Sequence, residues 1–189
     1  MGLPDGGNEL TGSSVKMNER EIMTMEESSK RQEIRVLGVG NSYRNDDGIG
    51  LLVARQLHAR NLPDVKVLEI AGDVAGLMEA WKKASSVILV DAVTSELAPG
   101  TVVRLDARSQ VIPSSYFRYS THAFSIAESI ELAKVLGTLP ERLIVFGIVG
   151  GDFGMGTKVS QSVLDAGNSV VGMILTEIES NVEIPVSAS

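Results

Sequence analysis

Short apolar runs alternate with stretches of helical spacing from Ile34 onward. Five runs have the length of strands, and they lie at 34–39, 65–70, 87–90, 101–105 and 143–148. Apolar residues recur every three or four positions at 47–60, 74–84, 123–136 and 159–178, which predicts four helices. Strands that alternate with helices are typical of an α/β domain with a parallel sheet. The 101–105 run alternates between apolar and polar residues, which indicates an edge strand.

The two ends of the chain differ from this pattern. Residues 1–32 hold few apolar residues, so we predict a flexible N-terminal tail. Residues 179–189 are interpreted as a second tail, which leaves 33–178 as the folded domain. The first 32 residues lack the apolar stretch of a secretory signal, and no run reaches the roughly 18 apolar residues of a membrane span. We therefore expect a soluble, cytoplasmic protein.

The composition narrows the chemistry that is available. The 189 residues include no cysteine and two histidines, and the formal net charge is −7 at pH 7. Without cysteine there is no disulfide, thiolate metal site or cysteine nucleophile, so catalysis depends on oxygen and imidazole groups. The acidic balance, with scattered lysine and arginine, gives no surface for nucleic acid or for an anionic membrane. His58 and His122 are therefore the only imidazole groups that catalysis or metal binding could use.

Polar residues follow three of the predicted strands. The segment 41–47 comes after the first strand, Asp91 closes the third, and His122 ends the loop after the fourth. In an open parallel sheet, ligand sites form where the carboxyl ends of the strands meet their loops. Carboxylates and an imidazole suit nickel, zinc or a similar divalent ion and leave coordination positions open. The pattern therefore predicts an open metal site.

Each of these residues also has a purely structural explanation. An aspartate at the end of an apolar strand often bonds to neighbouring backbone amides, and His122 stands where a capping residue stands. Asp46 and Asp47 precede a helix, where the dipole and the unpaired amides favour carboxylates. Neighbouring residues at a helix start point about 100° apart, so one of the two is expected to cap and the other to bind the ion. His58 is predicted on the solvated face of the first helix.

Glycine-rich and nucleophile patterns do not support the common alternatives. Gly38-Val39-Gly40 begins like a dinucleotide fingerprint, but Tyr43 occupies the position of the third glycine. The segment 151–158 has threonine and lysine in the wrong order for a phosphate loop. No Gly-x-Ser-x-Gly elbow occurs, so a serine hydrolase is unsupported.

The start of the domain resembles the opening motif of the hydrogenase maturation endopeptidases. A strand ends in Gly38-Val39-Gly40-Asn41, a four-residue loop follows, and Asp46-Asp47-Gly48 then leads into a helix that contains Gly50. Two further landmarks agree with that family, since Asp91 matches its third-strand acid and Ser120-Thr121-His122 matches its histidine before a helix. The resemblance covers about residues 33–178.

The resemblance implies a fold and an activity. The fold would be three-layer α/β, with a twisted, mainly parallel five-stranded sheet and helices on both faces. These enzymes remove a carboxy-terminal extension from the large-subunit precursor of a nickel–iron hydrogenase once nickel is inserted. The residues carried over as metal-binding and catalytic are Asp47, Asp91 and His122. The precursor would be the protein partner and would itself supply the nickel, Asp46 would be a structural partner, and Asn41 and loop 151–158 would be weaker candidates for substrate binding.

Two other classes of function remain open from the sequence. A non-catalytic nickel-binding maturation chaperone would use the same three residues and leave the precursor uncut. A nucleotide-dependent α/β enzyme would be stabilised by a nucleotide, an outcome that the glycine patterns do not favour.

Overall fold

The computed structural model describes residue 18 and residues 33–70, 74–82, 84–117 and 126–182. The strands in this part of the chain are Ile34–Val39 (β1), Val65–Ile70 (β2), Ser86–Val93 (β3), Val102–Asp106 (β4) and Arg142–Val149 (β5). The helices are Ile49–His58 (α1), Val74–Trp81 (α2), Ile126–Leu136 (α3) and Gln161–Val182 (α4). Short 3-10 helices lie at Asn45–Gly48 and Ser114–Phe117.

The strands form one sheet in the order β2-β1-β3-β5-β4. β1 pairs in parallel with both β2 and β3, and β3 pairs in parallel with β5. β4 lies at the edge and runs antiparallel to β5, with Val102 opposite Ile148. The chain passes from β1 to one side of the sheet and then returns to the other side with β3, so the order reverses between these two strands. In α/β sheets this reversal opens the crevice in which ligands bind.

Helices cover both faces of the sheet. On one face α1 and α4 enclose a core that includes Val53, Phe146 and Val170. On the other face α2 and α3 enclose a second core around Trp81 and Ile130. Every residue of β3 is buried, because its side chains alternate between the two cores. The predicted three-layer α/β fold with a mainly parallel five-stranded sheet is confirmed.

Two element ends differ from the sequence prediction. β3 continues beyond Asp91 to Val93, because Ala92 and Val93 still pair with β5, so Asp91 lies inside the strand rather than at its end. α4 runs to Val182 and takes in the first residues of the predicted 179–189 tail. No glycine or proline interrupts the chain there before Pro185, so the helix meets no breaker at residue 178. No helix in the described ranges has the length and apolar character that a membrane span needs.

Candidate functional site

The turn between β1 and α1 is held together by its own backbone. The Asn41 amide donates to the Asp47 carbonyl at 3.2 Å, and the Asn41 carbonyl accepts from the Arg44 amide at 3.1 Å. The Asn41 side chain accepts from the Tyr43 amide at 2.9 Å, so it shapes the turn. Gly40 has a φ of 152°, and a Cβ there would overlap the Asp47 carbonyl oxygen. This turn therefore fixes the position of Asp47 relative to the end of β1.

The start of α1 lies unusually close to the sheet. A Cβ on Gly50 would overlap the Val39 carbonyl oxygen and would lie 2.5 Å from that of Val90. Because position 50 is glycine, the helix start reaches both β1 and β3, and the 3-10 helix contacts β3 as well. Val90 directly precedes Asp91 in the strand. Because Gly50 has no side chain, the turn that carries Asp47 can lie against the strand that carries Asp91.

Asp47 and Asp91 are both buried, with 8% and 4% of their surface exposed. Burial raises the pKa of Asp91 well above its usual range, and the negative charge of Asp47 raises it further. The Ala92 amide donates to Asp91 Oδ1 at 2.9 Å, and this hydrogen bond lowers the pKa of Asp91 but does not offset the other two effects. The structure therefore brings these two predicted site residues together in the crevice between β1 and β3.

Asp46 is completely buried and has a different environment. Its Oδ2 accepts from the amides of Gly151 and Asp152 at 2.9 and 3.0 Å, and its Oδ1 accepts from the Ser160 amide at 2.7 Å. Burial opposes ionisation of Asp46, but the backbone donors outweigh it and lower the pKa of this carboxyl. The expectation that one of the paired acids caps the helix is wrong for Asp46, because its bonds go to the loop after β5 and α1 has no side-chain cap.

A second group of bonds fastens the same loop to the turn. The Asn45 side chain donates to Asp152 Oδ2 at 2.9 Å and accepts from the Lys158 amide at 3.1 Å. The Arg44 guanidinium donates to the Phe153 carbonyl through Nε and Nη2 at 3.2 and 3.0 Å. The loop 150–160 and the turn 41–48 therefore form one hydrogen-bonded unit. Sequence reasoning missed this role of Arg44 and Asn45, which has no local signal because the partners are more than 100 residues away.

The third predicted site residue, His122, lies outside the described residues. The chain enters α3 four positions later, at Ile126. Within the described ranges no group of three or more histidine, aspartate or glutamate side chains is arranged to hold a metal ion. His58 is exposed at the end of α1, on the solvated face as predicted. The combination of Asp47, Asp91 and His122 stays a prediction, with Asp47 close enough for its charge to act on Asp91.

A protein-family model decides the family. The model for HycI, described as hydrogenase maturation protease, matches residues 51–177, which is about two thirds of the chain. The chain belongs to the hydrogenase maturation protease family. The match includes Asp91 and begins four residues after Asp47. The family assignment makes this chain a peptidase, and it confirms the resemblance to the hydrogenase maturation endopeptidases, although the Asp46-Asp47-Gly48 motif itself lies just before the matched range.

Relatives and solved structures agree with this assignment. The hydrogenase 2 maturation protease of Escherichia coli is 32% identical over 122 residues, which are 61% of this chain and 72% of that protein. The solution structure of an endopeptidase from Escherichia coli has 27% identity and a TM-score of 0.70, covering 83% of this chain and 99% of that one. The hydrogenase maturating endopeptidase HybD from E. coli, at 20% identity and a TM-score of 0.65, covers 79% and 93% and shows the same fold.

Proposed function

We propose that this hydrogenase maturation protease removes the carboxy-terminal extension of a nickel–iron hydrogenase large-subunit precursor after nickel has been inserted. The observation that carries the proposal is the burial of Asp47 beside Asp91 in the crevice between β1 and β3. Crevices of this kind hold the ligands of α/β proteins. The family supplies the reaction class, and the two carboxylates supply a place where a metal-bearing substrate would bind.

Asp47 and Asp91 are both buried, and the charge of Asp47 acts on Asp91. Burial and the Asp47 charge both disfavour ionisation of Asp91, and a divalent cation would reverse this preference by attracting both carboxylates. Carboxylate oxygen and imidazole nitrogen are ligands that suit a divalent transition metal. In the proposed complex, Asp47, Asp91 and His122 contact the nickel that the precursor already holds.

Recognition of this nickel would report that metal insertion is complete. The ion belongs to the substrate, so the protease needs no resident cofactor of its own in this proposal. A divalent ion in such a site can polarise a carbonyl, activate a water or orient a chain. The protein partner is the large-subunit precursor, and the proposed place of the reaction is the cytoplasm.

The test is the intact mass of the large-subunit precursor from the same source, in nickel-loaded and nickel-free forms. Each form is weighed before and after incubation with the protease. We expect loss of a carboxy-terminal fragment from the nickel-loaded form alone. Fragment loss from both forms would contradict nickel recognition. Binding without any change of mass would favour the non-catalytic nickel-binding chaperone.

Matched variants assign the residues. Asp47→Asn, Asp91→Asn and His122→Ala are expected to abolish processing while the far-ultraviolet circular dichroism spectrum is unchanged. Asp165→Asn and His58→Ala change the same residue types at exposed positions on α4 and α1, and they are expected to process the precursor normally. Retained cleavage in any of the first three variants would remove that residue from the site.

A further inference from the structure

A cavity of about 510 Å³ lies beside the candidate site. Its walls come from three segments: Arg44 of the turn before α1, Thr94 and Ser95 after β3, and residues of loop 150–154 after β5. Thr94 follows Asp91 by three positions, and Arg44 precedes Asp47 by three. The cavity is therefore bordered by the chain segments that carry both candidate carboxylates. Its volume falls in the range of about 300–1,000 Å³ that is usual for ligand sites.

Hydrogen bonds hold the walls of this cavity in place. The Gly150 amide donates to the Val93 carbonyl at 3.0 Å, which joins the loop after β5 to the end of β3. The Gly151 amide donates to Asp46 at 2.9 Å, and Arg44 holds the Phe153 carbonyl. The Thr94 amide donates to the Tyr116 carbonyl at 2.8 Å. Because each wall is anchored to a neighbouring segment, the cavity is formed before a ligand arrives.

The lining has the chemistry of a site for peptide main chain. Three of its residues are glycines, two carry hydroxyls, and the other two are Phe153 and Arg44, whose guanidinium donates to the Phe153 carbonyl. A lining of backbone and hydroxyl groups matches the amides and small side chains of an extended segment better than it matches one large apolar group.

We propose that this cavity is the subsite that holds the precursor's peptide next to the bond that is cut. The inference rests on the proposed function and adds the place and the chemical class of the bound segment, an extended peptide with small or polar side chains. In this arrangement the metal-binding residues hold the nickel of the precursor, while the cavity holds the neighbouring peptide. Occupation of the cavity then determines which sequences around the cut are accepted.

The absence of cysteine from the chain allows a selective test. Ser95→Cys changes one atom in the cavity wall, where the Ser95 oxygen accepts from the Leu97 amide at 3.1 Å. The introduced thiol is then modified either with methyl methanethiosulfonate, which adds a small group, or with N-phenylmaleimide, which adds a bulky one. Ser109→Cys, an exposed position after β4 that is outside the cavity lining, is the control.

The first readout is cleavage of the nickel-loaded precursor by the modified proteins. We expect the phenylmaleimide adduct at position 95 to lower kcat/KM at least tenfold, the methylthio adduct to lower it much less, and both adducts at position 109 to leave it unchanged. Binding of Ni²⁺ alone, measured by calorimetry, should be the same for every adduct. Normal cleavage by the bulky adduct at position 95 would overturn the subsite.

The second readout is independent of catalysis. Uncut nickel-loaded precursor should slow maleimide modification at position 95 and leave modification at position 109 unchanged. If the unmodified protein cuts no precursor, the proposed function fails, yet protection at position 95 still tests whether the peptide occupies the cavity. Equal modification rates with and without the precursor would contradict the subsite even if cleavage is observed.

Discussion

Asp46 and Asp47 are adjacent in the chain, but their carboxylates have different surroundings. Asp46 accepts from three backbone amides and is completely buried. Asp47 acts through its charge on Asp91, across the crevice. One acid therefore orders the loop after β5, and its neighbour contributes to the candidate metal site. A motif of two identical residues encodes a structural role and a proposed chemical role side by side.

Removing the Asp46 carboxylate should release loop 150–160. Asp46→Ala leaves the amides of Gly151, Asp152 and Ser160 without their acceptor, and each of these three part-buried hydrogen bonds contributes a net of about 0.5–1.5 kcal/mol. We expect a loss of about 1.5–4.5 kcal/mol in the free energy of unfolding, measured with urea, together with loss of precursor cleavage. Asp165→Ala on the exposed face of α4 should change stability by less than about 0.5 kcal/mol. Equal stability of the two variants would show that the loop does not depend on Asp46.

Asp91→Asn should make the protein more stable at pH 7, although the same substitution is expected to abolish cleavage. Burial and the Asp47 charge raise the pKa of Asp91, so its folded-state pKa lies above its unfolded-state value. A group of this kind contributes most stability at low pH, and the contribution is lost as pH rises through the folded-state pKa. The uncharged amide avoids this loss, so the melting temperature of Asp91→Asn should exceed that of the wild type at pH 7. The difference should shrink at pH 4, and a lower melting temperature at pH 7 would contradict the assigned cause.

The ion pairs of Glu177, which lie away from the candidate site, should make the stability of the fold sensitive to acid. This side chain on α4 accepts from Arg104 of β4 at 2.6 Å and also pairs with Arg142 of β5. Burial disfavours its ionisation, but the two arginines outweigh burial and lower the pKa of Glu177 below its ordinary value of 4.5. The stability that it contributes is present above this value and is lost as pH falls through the lower folded-state pKa.

Glu177→Gln should therefore destabilise the protein by about 1 kcal/mol at pH 7. Below the folded-state pKa of Glu177, wild type and variant should unfold at the same urea concentration. The exposed Glu179, on the same helix, provides the control through Glu179→Gln. A difference that persists undiminished at low pH would mean that the ion pairs are not its source.

Two glycine substitutions should have opposite effects. In Gly50→Ala the new methyl group overlaps the Val39 carbonyl and crowds that of Val90, so α1 must move away from the sheet. We expect a loss of about 1–3 kcal/mol in stability and a loss of cleavage, because Asp47 moves away from Asp91. Gly172→Ala lies in α4 with nothing within 4 Å of the new methyl group. It should stabilise the protein by about 0.5–1 kcal/mol and leave cleavage unchanged, as thermal melting and the mass assay would show.

The fold was accessible from the sequence because its signals are local. Val87–Val90 is an uninterrupted apolar run, and Ile49, Val53 and Leu57 recur on one face of a helix, so their periods indicate a buried strand and an amphipathic helix. The end of β3 was less accessible, since Asp91 interrupts the apolar run although the strand continues to Val93. Pairing with β5, which lies more than 50 residues away, decides that boundary.

Some features of the candidate site could likewise be predicted from the sequence, and others could not. Asp47 and Asp91 were accessible from the rule that ligands gather at the carboxyl ends of strands, supported by the family motif. The partners of Asp46 were not, because nothing in the composition of loop 150–160 indicates that its amides turn toward one carboxylate. The cavity beside Thr94 was also beyond the sequence, because its three walls meet only after the sheet is assembled.

The bonds of Asp46 also set the order in which the enzyme becomes complete. Its three partners lie 105, 106 and 114 residues further along the chain. A growing chain that has passed β3 carries both carboxylates of the crevice but still lacks the loop that orders the neighbouring turn. Synthesis must continue through β5 to Ser160 before the carboxylate of Asp46 has all of its donors. A peptidase assembled in this way gains its working shape only after the loop that follows β5 has been synthesised.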